Sequence, residues 1–183
     1  MRTMKKRILV LLLMTMSIGM TSSTFAHLMV AQHGTVNIVD DGAFIVLSVP
    51  MSAFPVVDED GDGVVTMIEF NSHRAEITES IRHNVVLSDD HATLALEGIL
   101  LSPEVDHDEA GTSTTAHQLT VMGRFTLVDP SAALSLFVGL YGQQEGEQNL
   151  QITGTRRAEG SEHVLMLTPL ASGGELFPAL VAN

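Results

Sequence analysis

From Gln118 to Leu127 the apolar residues fall mostly on alternate positions, the spacing of a strand with one face on a core and the other in water. That period of two excludes an amphipathic helix there, and short runs of similar character recur along the chain. Thr35–Val39 and Ala43–Val49 flank Asp40-Asp41-Gly42, a hairpin pattern in which Gly42 is expected to supply the positive φ of the turn. Val85–Leu87 and Thr93–Leu96 flank Ser88-Asp89-Asp90-His91 in the same way. Further strands are predicted over His117–Val128, Leu134–Tyr141, Leu150–Thr155 and His163–Thr168, about eight altogether. Short strands parted by turn signals predict a mainly β fold. The expected architecture is an antiparallel sandwich, Ig-like or a partly closed barrel, because a parallel α/β sheet would need a helix between successive strands.

One stretch departs from this period. Met67, Phe70, Ile77 and Ile81 lie near helical spacing, with Glu69, Arg74, Glu76, Glu79 and Arg82 elsewhere on the cylinder, which predicts one helix from Met67 to about His83. Ser102 to Ala116 is polar and aperiodic and is expected to be an exposed loop.

The amino terminus reads as an export signal over residues 1–26. It has a basic segment from Arg2 to Arg7, an apolar run from Ile8 to about Met20, and small residues at Thr24 and Ala26 before a cut. About 13 apolar residues are too few for a bilayer-spanning helix, which needs roughly 20. Residues 27–183 are then expected to form a single β-rich domain in the periplasm or outside the cell, with no membrane span after signal cleavage. Without the first 26 residues the chain keeps five Arg and no Lys against 22 Asp and Glu, a formal charge of −17. Nucleic acid and anionic lipid are poor partners for such a surface, whereas cations suit it. The chain has no Cys, so neither disulfides nor thiolate chemistry enter.

Immediately before the predicted helix stands Asp58-Glu59-Asp60-Gly61-Asp62-Gly63-Val64-Val65-Thr66-Met67-Ile68-Glu69, followed by Phe70. A hard divalent cation wants six to eight oxygens at about 2.3–2.6 Å, and this spacing can supply them. Asp58, Asp60 and Asp62 each offer a carboxylate, Gly63 allows the sharp bend at loop position 6, and Val64 offers its backbone carbonyl. Thr66 can give its hydroxyl or hold a water, and Glu69 at position 12 can reach back with both oxygens. Val65, at position 8, suits a short β contact with a partner segment. The pattern resembles the EF-hand over Asp58 to Phe70. The resemblance implies Ca²⁺ as the ligand and Asp58, Asp60, Asp62, Val64, Thr66 and Glu69 as the metal site. Upstream the pattern departs from the family: Ser52-Ala53-Phe54 between Pro50 and Pro55 leaves room for one turn at most, so a strand rather than an entering helix should lead into the loop. The inserted EF-hand loop and exit helix would occupy about 52–83. A second acidic run, Asp106-His107-Asp108-Glu109-Ala110-Gly111, lacks the third acid, and His117 stands where the Glu should be; it is expected to be a flexible loop. A single hand without a mate points to structural or low-affinity binding, with Kd roughly 10⁻⁶ to 10⁻³ M. The ion would support an interaction surface for a protein partner at the cell surface or in the periplasm.

An alternative reading comes from His27. Cleavage after Ala26 would leave a terminal amine beside its imidazole, a chelate for Cu(II), with His107, His117 or His163 as a possible further ligand and a periplasmic copper-binding protein as the function. No nucleophile, phosphate loop or catalytic triad stands out, and the expected function is binding rather than turnover.

Overall fold

The computed structural model describes residues 31–107, 114–157 and 160–180. Eleven strands follow one another as β1 (His33–Val39), β2 (Gly42–Pro50), β3 (Val65–Thr66), β4 (Val85–Ser88), β5 (Thr93–Leu94), β6 (Leu96–His107), β7 (Thr114–Thr126), β8 (Leu134–Val138), β9 (Leu150–Arg156), β10 (Ser161–Leu167) and β11 (Gly173–Phe177). Two helices, α1 (Met67–Ser72) and α2 (Arg74–Asn84), lie between β3 and β4. One sheet runs β10-β9-β1-β2-β7-β3 with β6 also on β7, and the other runs β11-β8-β4-β5. The two sheets form an open β sandwich, not a closed barrel.

Alternation builds the core. Ala43, Ile45, Leu47 and Val49 of β2 and Leu119, Val121 and Phe125 of β7 are all at most 1% exposed. They join Leu87, Leu134, Leu136 and Val138 of the second sheet in one apolar cluster. Each Val, Leu, Ile or Phe among them stabilises the fold by about 1.5–3 kcal/mol on burial. The predicted helical stripe is buried as expected, with Phe70, Ile77 and Ile81 at most 1% exposed and Met67 packed against the same cluster.

Several expectations need correction. The hairpin β1–β2 closes through Asp40 and Asp41, with Val39 opposite Gly42, but the positive φ (53°) belongs to Asp40. A Cβ at Gly42 would lie 2.7 Å from the Phe44 ring, which would have to shift to admit it. The helix is interrupted at His73, whose φ of −100° and ψ of 14° leave the helical region between α1 and α2. Its ring nitrogen Nε2 is held 2.7 Å from Glu59, which fixes the break to the preceding loop. Ser102–Ala116 is not one loop: β6 continues to His107 and β7 starts at Thr114, while 108–113 lie outside the described residues. Cross-strand hydrogen bonds to β7 hold this polar stretch, which has no need of an apolar face. Pro103 is tolerated because β6 bonds to β7 alone among the described strands, leaving an edge where a missing N–H costs nothing. The sheet is also not wholly antiparallel, since β1 runs parallel to β9 from His33 opposite Gln151 to Ile38 opposite Arg156.

Arg156 ends β9 at 1% exposure. Its guanidinium donates to the carbonyls of Pro178 (2.9 Å) and Ala132 (2.7 Å) and lies 4.9 Å from the centre of the Phe177 ring. A buried cation needs such partners, and here they fasten the last described segment to the sandwich.

Candidate metal centre

β2 and β3 lie on the same edge of β7. Pro50 stands opposite Gln118 and Val65 opposite Ala116, so the chain leaves the sheet after Pro50 and rejoins it two positions further along the same strand. Residues 51–64 form the excursion between them. It begins with one 3₁₀ turn, Met51–Ala53, as the flanking prolines require, and Phe54 and Val57 plug it into the core at 3% and 0% exposure. The short β contact expected of Val65 is therefore present, and its partner is Ala116.

Between these anchors the acidic run curls on itself. Asp58 accepts from the backbone N–H groups of Gly61 (2.8 Å) and Gly63 (2.9 Å) through its two oxygens. Asp60 accepts from Asp62 N (3.1 Å), and Asp62 from Val64 N (2.8 Å). Gly61 and Gly63 adopt φ of 73° and 83°, and a Cβ would meet nothing within 4 Å at either, so glycine is demanded by backbone conformation and not by space. The bend expected at Gly63 is therefore observed.

Glu69 closes the loop from the first turn of α1. One carboxylate oxygen accepts from the Thr66 N–H (2.8 Å) and hydroxyl (2.7 Å), and the other from the Glu59 N–H (3.1 Å). The Glu69 N–H donates back to the Thr66 hydroxyl at 3.3 Å, completing a capping box. The Thr66 backbone N–H, then its hydroxyl, holds the Glu69 carboxyl below its ordinary pKa, because both bonds favour the ionised form.

Among the described residues, one group of three His, Asp or Glu side chains places its ligand atoms within 4.8 Å of one another: Asp58, Asp60 and Glu69. Asp62 is exposed and does not belong to that group, while Val64 and Thr66 are half-buried where the loop enters β3. The converging donors are carboxylate oxygens without nitrogen or sulfur, a set that fits Ca²⁺ and does not favour copper or zinc. His27 lies outside the described residues, as do residues 108–111 of the second acidic run. His117 pairs with Asp106 at 3.3 Å, and the His163 ring meets Phe177 edge-on at 5.3 Å between centroids.

Two features of the site have no local sequence signal. His73 bonds to Glu59 from the helix junction, and Ser52 donates to Glu147 at 2.6 Å across 95 positions, tying the start of the excursion to the segment before β9. Both are pairings between distant points of the chain. The chain matches no protein-family model and no curated protein.

Proposed function

We propose that the protein is an exported calcium-binding β domain, in which Ca²⁺ locks the excursion between β2 and β3 and thereby supports an interaction surface for a protein partner. The observation that carries this reading is the convergence of Asp58, Asp60 and Glu69 within 4.8 Å, inside a twelve-residue frame bent at Gly63. Bound Ca²⁺ supplies concentrated positive charge where like-charged carboxylates repel one another. The chain supplies the rest. Gly61 and Gly63 let the loop fold inward, Asp58 is oriented by their N–H groups, and Glu69 is held by Thr66 over the opening. Asp62, the Val64 carbonyl and Thr66 complete the oxygen set that the loop spacing offers.

Ca²⁺ titration of the metal-stripped protein, followed by calorimetry and by melting, tests the reading. One binding event and a rise in Tm are expected, and Asp58→Ala with Glu69→Ala should remove both. A melting curve that does not move across millimolar Ca²⁺ would refute it.

A further inference from the structure

A cleft of about 410 Å³ opens beside the acidic loop, between the excursion, the edge of β7 and residues 143–147. Its volume falls within the range of small-molecule sites. Asp58, Gly63 and Val64 of the acidic loop line it together with Gln143, Gln144 and Glu147. Pro55 supplies exposed apolar surface, Met51, Phe54 and Val65 are buried members of the lining, and among the described residues no Lys or Arg lines the space. Glu147 is not a loose surface acid: its carboxylate accepts from the Ser52 hydroxyl at 2.6 Å and from the Gln144 N–H at 3.2 Å.

The lining chemistry narrows the ligand. An anion would face two carboxylates in a strongly acidic protein, at a Coulombic cost. A sugar ring would want an aromatic face, yet the chain has no Trp, and Phe54, the aromatic residue of the lining, is 3% exposed. An aliphatic amine suits this lining, because its ammonium groups can meet the carboxylates and the amide oxygens while its methylene stem packs on Pro55.

We propose that this cleft binds an aliphatic amine, with Glu147 as the principal acceptor and Asp58 shared with the calcium loop. That sharing rests on the calcium reading above, whereas amine binding through Glu147 does not. Two cations drawing on one carboxylate oppose each other, so calcium should weaken the amine and the amine should weaken calcium by the same factor.

Spermidine is the probe, titrated into the full protein at near-physiological salt so that diffuse attraction is screened. Glu147→Gln should lower spermidine affinity at least tenfold and leave Ca²⁺ binding in place. Glu145→Gln removes an equal charge from a neighbouring residue outside the lining and should change little. Equal losses in the two variants would mean diffuse attraction and overturn the site. Gln143→Lys, which adds a cation to the exposed rim without removing the Ser52 bond, should abolish spermidine binding with Tm unchanged. Retained binding in that variant would also overturn the proposal. Saturating Ca²⁺ should reduce spermidine affinity several-fold. If Ca²⁺ fails to bind while spermidine still depends on Glu147, the calcium reading falls and the amine site stands.

Discussion

The two ends of β7 are held by different physics. From Gln118 to Thr126 every residue faces a residue of β2, while β6 flanks most of the same span on the other edge, and Leu119, Val121 and Phe125 beneath are fully buried. From Thr114 to His117 the edge vacated by β2 is covered, among the described strands, only by the two residues of β3, and Ala116 is the one buried side chain of the four. Apolar burial secures the first end. A two-stranded ribbon is marginal in water, so the second end depends on β3, and β3 depends on the acidic loop that delivers it. If the loop takes the proposed Ca²⁺, the consequence should be felt at the 114–117 end and hardly at the other.

The largest effect should come from the well-buried end. Phe125→Ala removes a ring that is 0% exposed and should cost about 3–5 kcal/mol, read from the denaturant midpoint. If the two ends are separable, the gain in Tm on adding Ca²⁺ should survive in this variant. A mutant that has lost the calcium response as well would erase the distinction.

A smaller effect should appear at the other end when calcium is withdrawn. At free Ca²⁺ near 100 times Kd, an ion held at the proposed site would contribute about 2.7 kcal/mol against any opening that destroys that site, close to a hundredfold in exchange rate. Hydrogen exchange over minutes should show peptides covering 64–67 and 114–117 gaining deuterium once the ion is chelated. Peptides covering Leu119–Phe125 should stay protected in that window with or without it, because they open only on global unfolding. Uniform acceleration along β7 would break the comparison.

The same contrast governs what the sequence discloses. Strands with one buried face advertise themselves: the alternation at Leu119, Val121 and Phe125, and the helical spacing of Phe70, Ile77 and Ile81, both recur as buried positions. The loop is legible too, since Gly63 at its fixed offset does adopt positive φ, and Glu69 does reach back across the loop to Glu59 N. The polar stretch of β6 is not legible, because its order comes from hydrogen bonds to β7 that leave no period in its own side chains. Nor are the parallel pairing of β1 with β9, the burial of Arg156 or the Ser52–Glu147 bond, each of which joins segments far apart in the chain. Sequence patterns report what a segment does with water, and they are silent on which distant segment it meets.

The smallest of these effects tests the link between the loop and β3. Thr66 ends β3 and caps α1, and its side chain both accepts from Glu69 N and donates to the Glu69 carboxylate. Thr66→Ala should cost about 1 kcal/mol, typical of a lost N-cap, and Thr66→Ser should recover most of it. Acid should act through the same bonds. Because the folded Glu69 pKa is lowered, its contribution is complete above the ordinary carboxylate pKa and disappears as pH falls through the depressed folded value. Removing the Thr66 hydroxyl should therefore move the Glu69 midpoint upward, towards the ordinary value, in an NMR titration of its side-chain carboxyl. The Thr66 backbone N–H, which remains in the Ala variant and is the larger cause, should keep the midpoint from returning fully. A midpoint identical in wild type and Thr66→Ala would mean that the capping box does not hold Glu69, and that the loop reaches β3 by some other restraint.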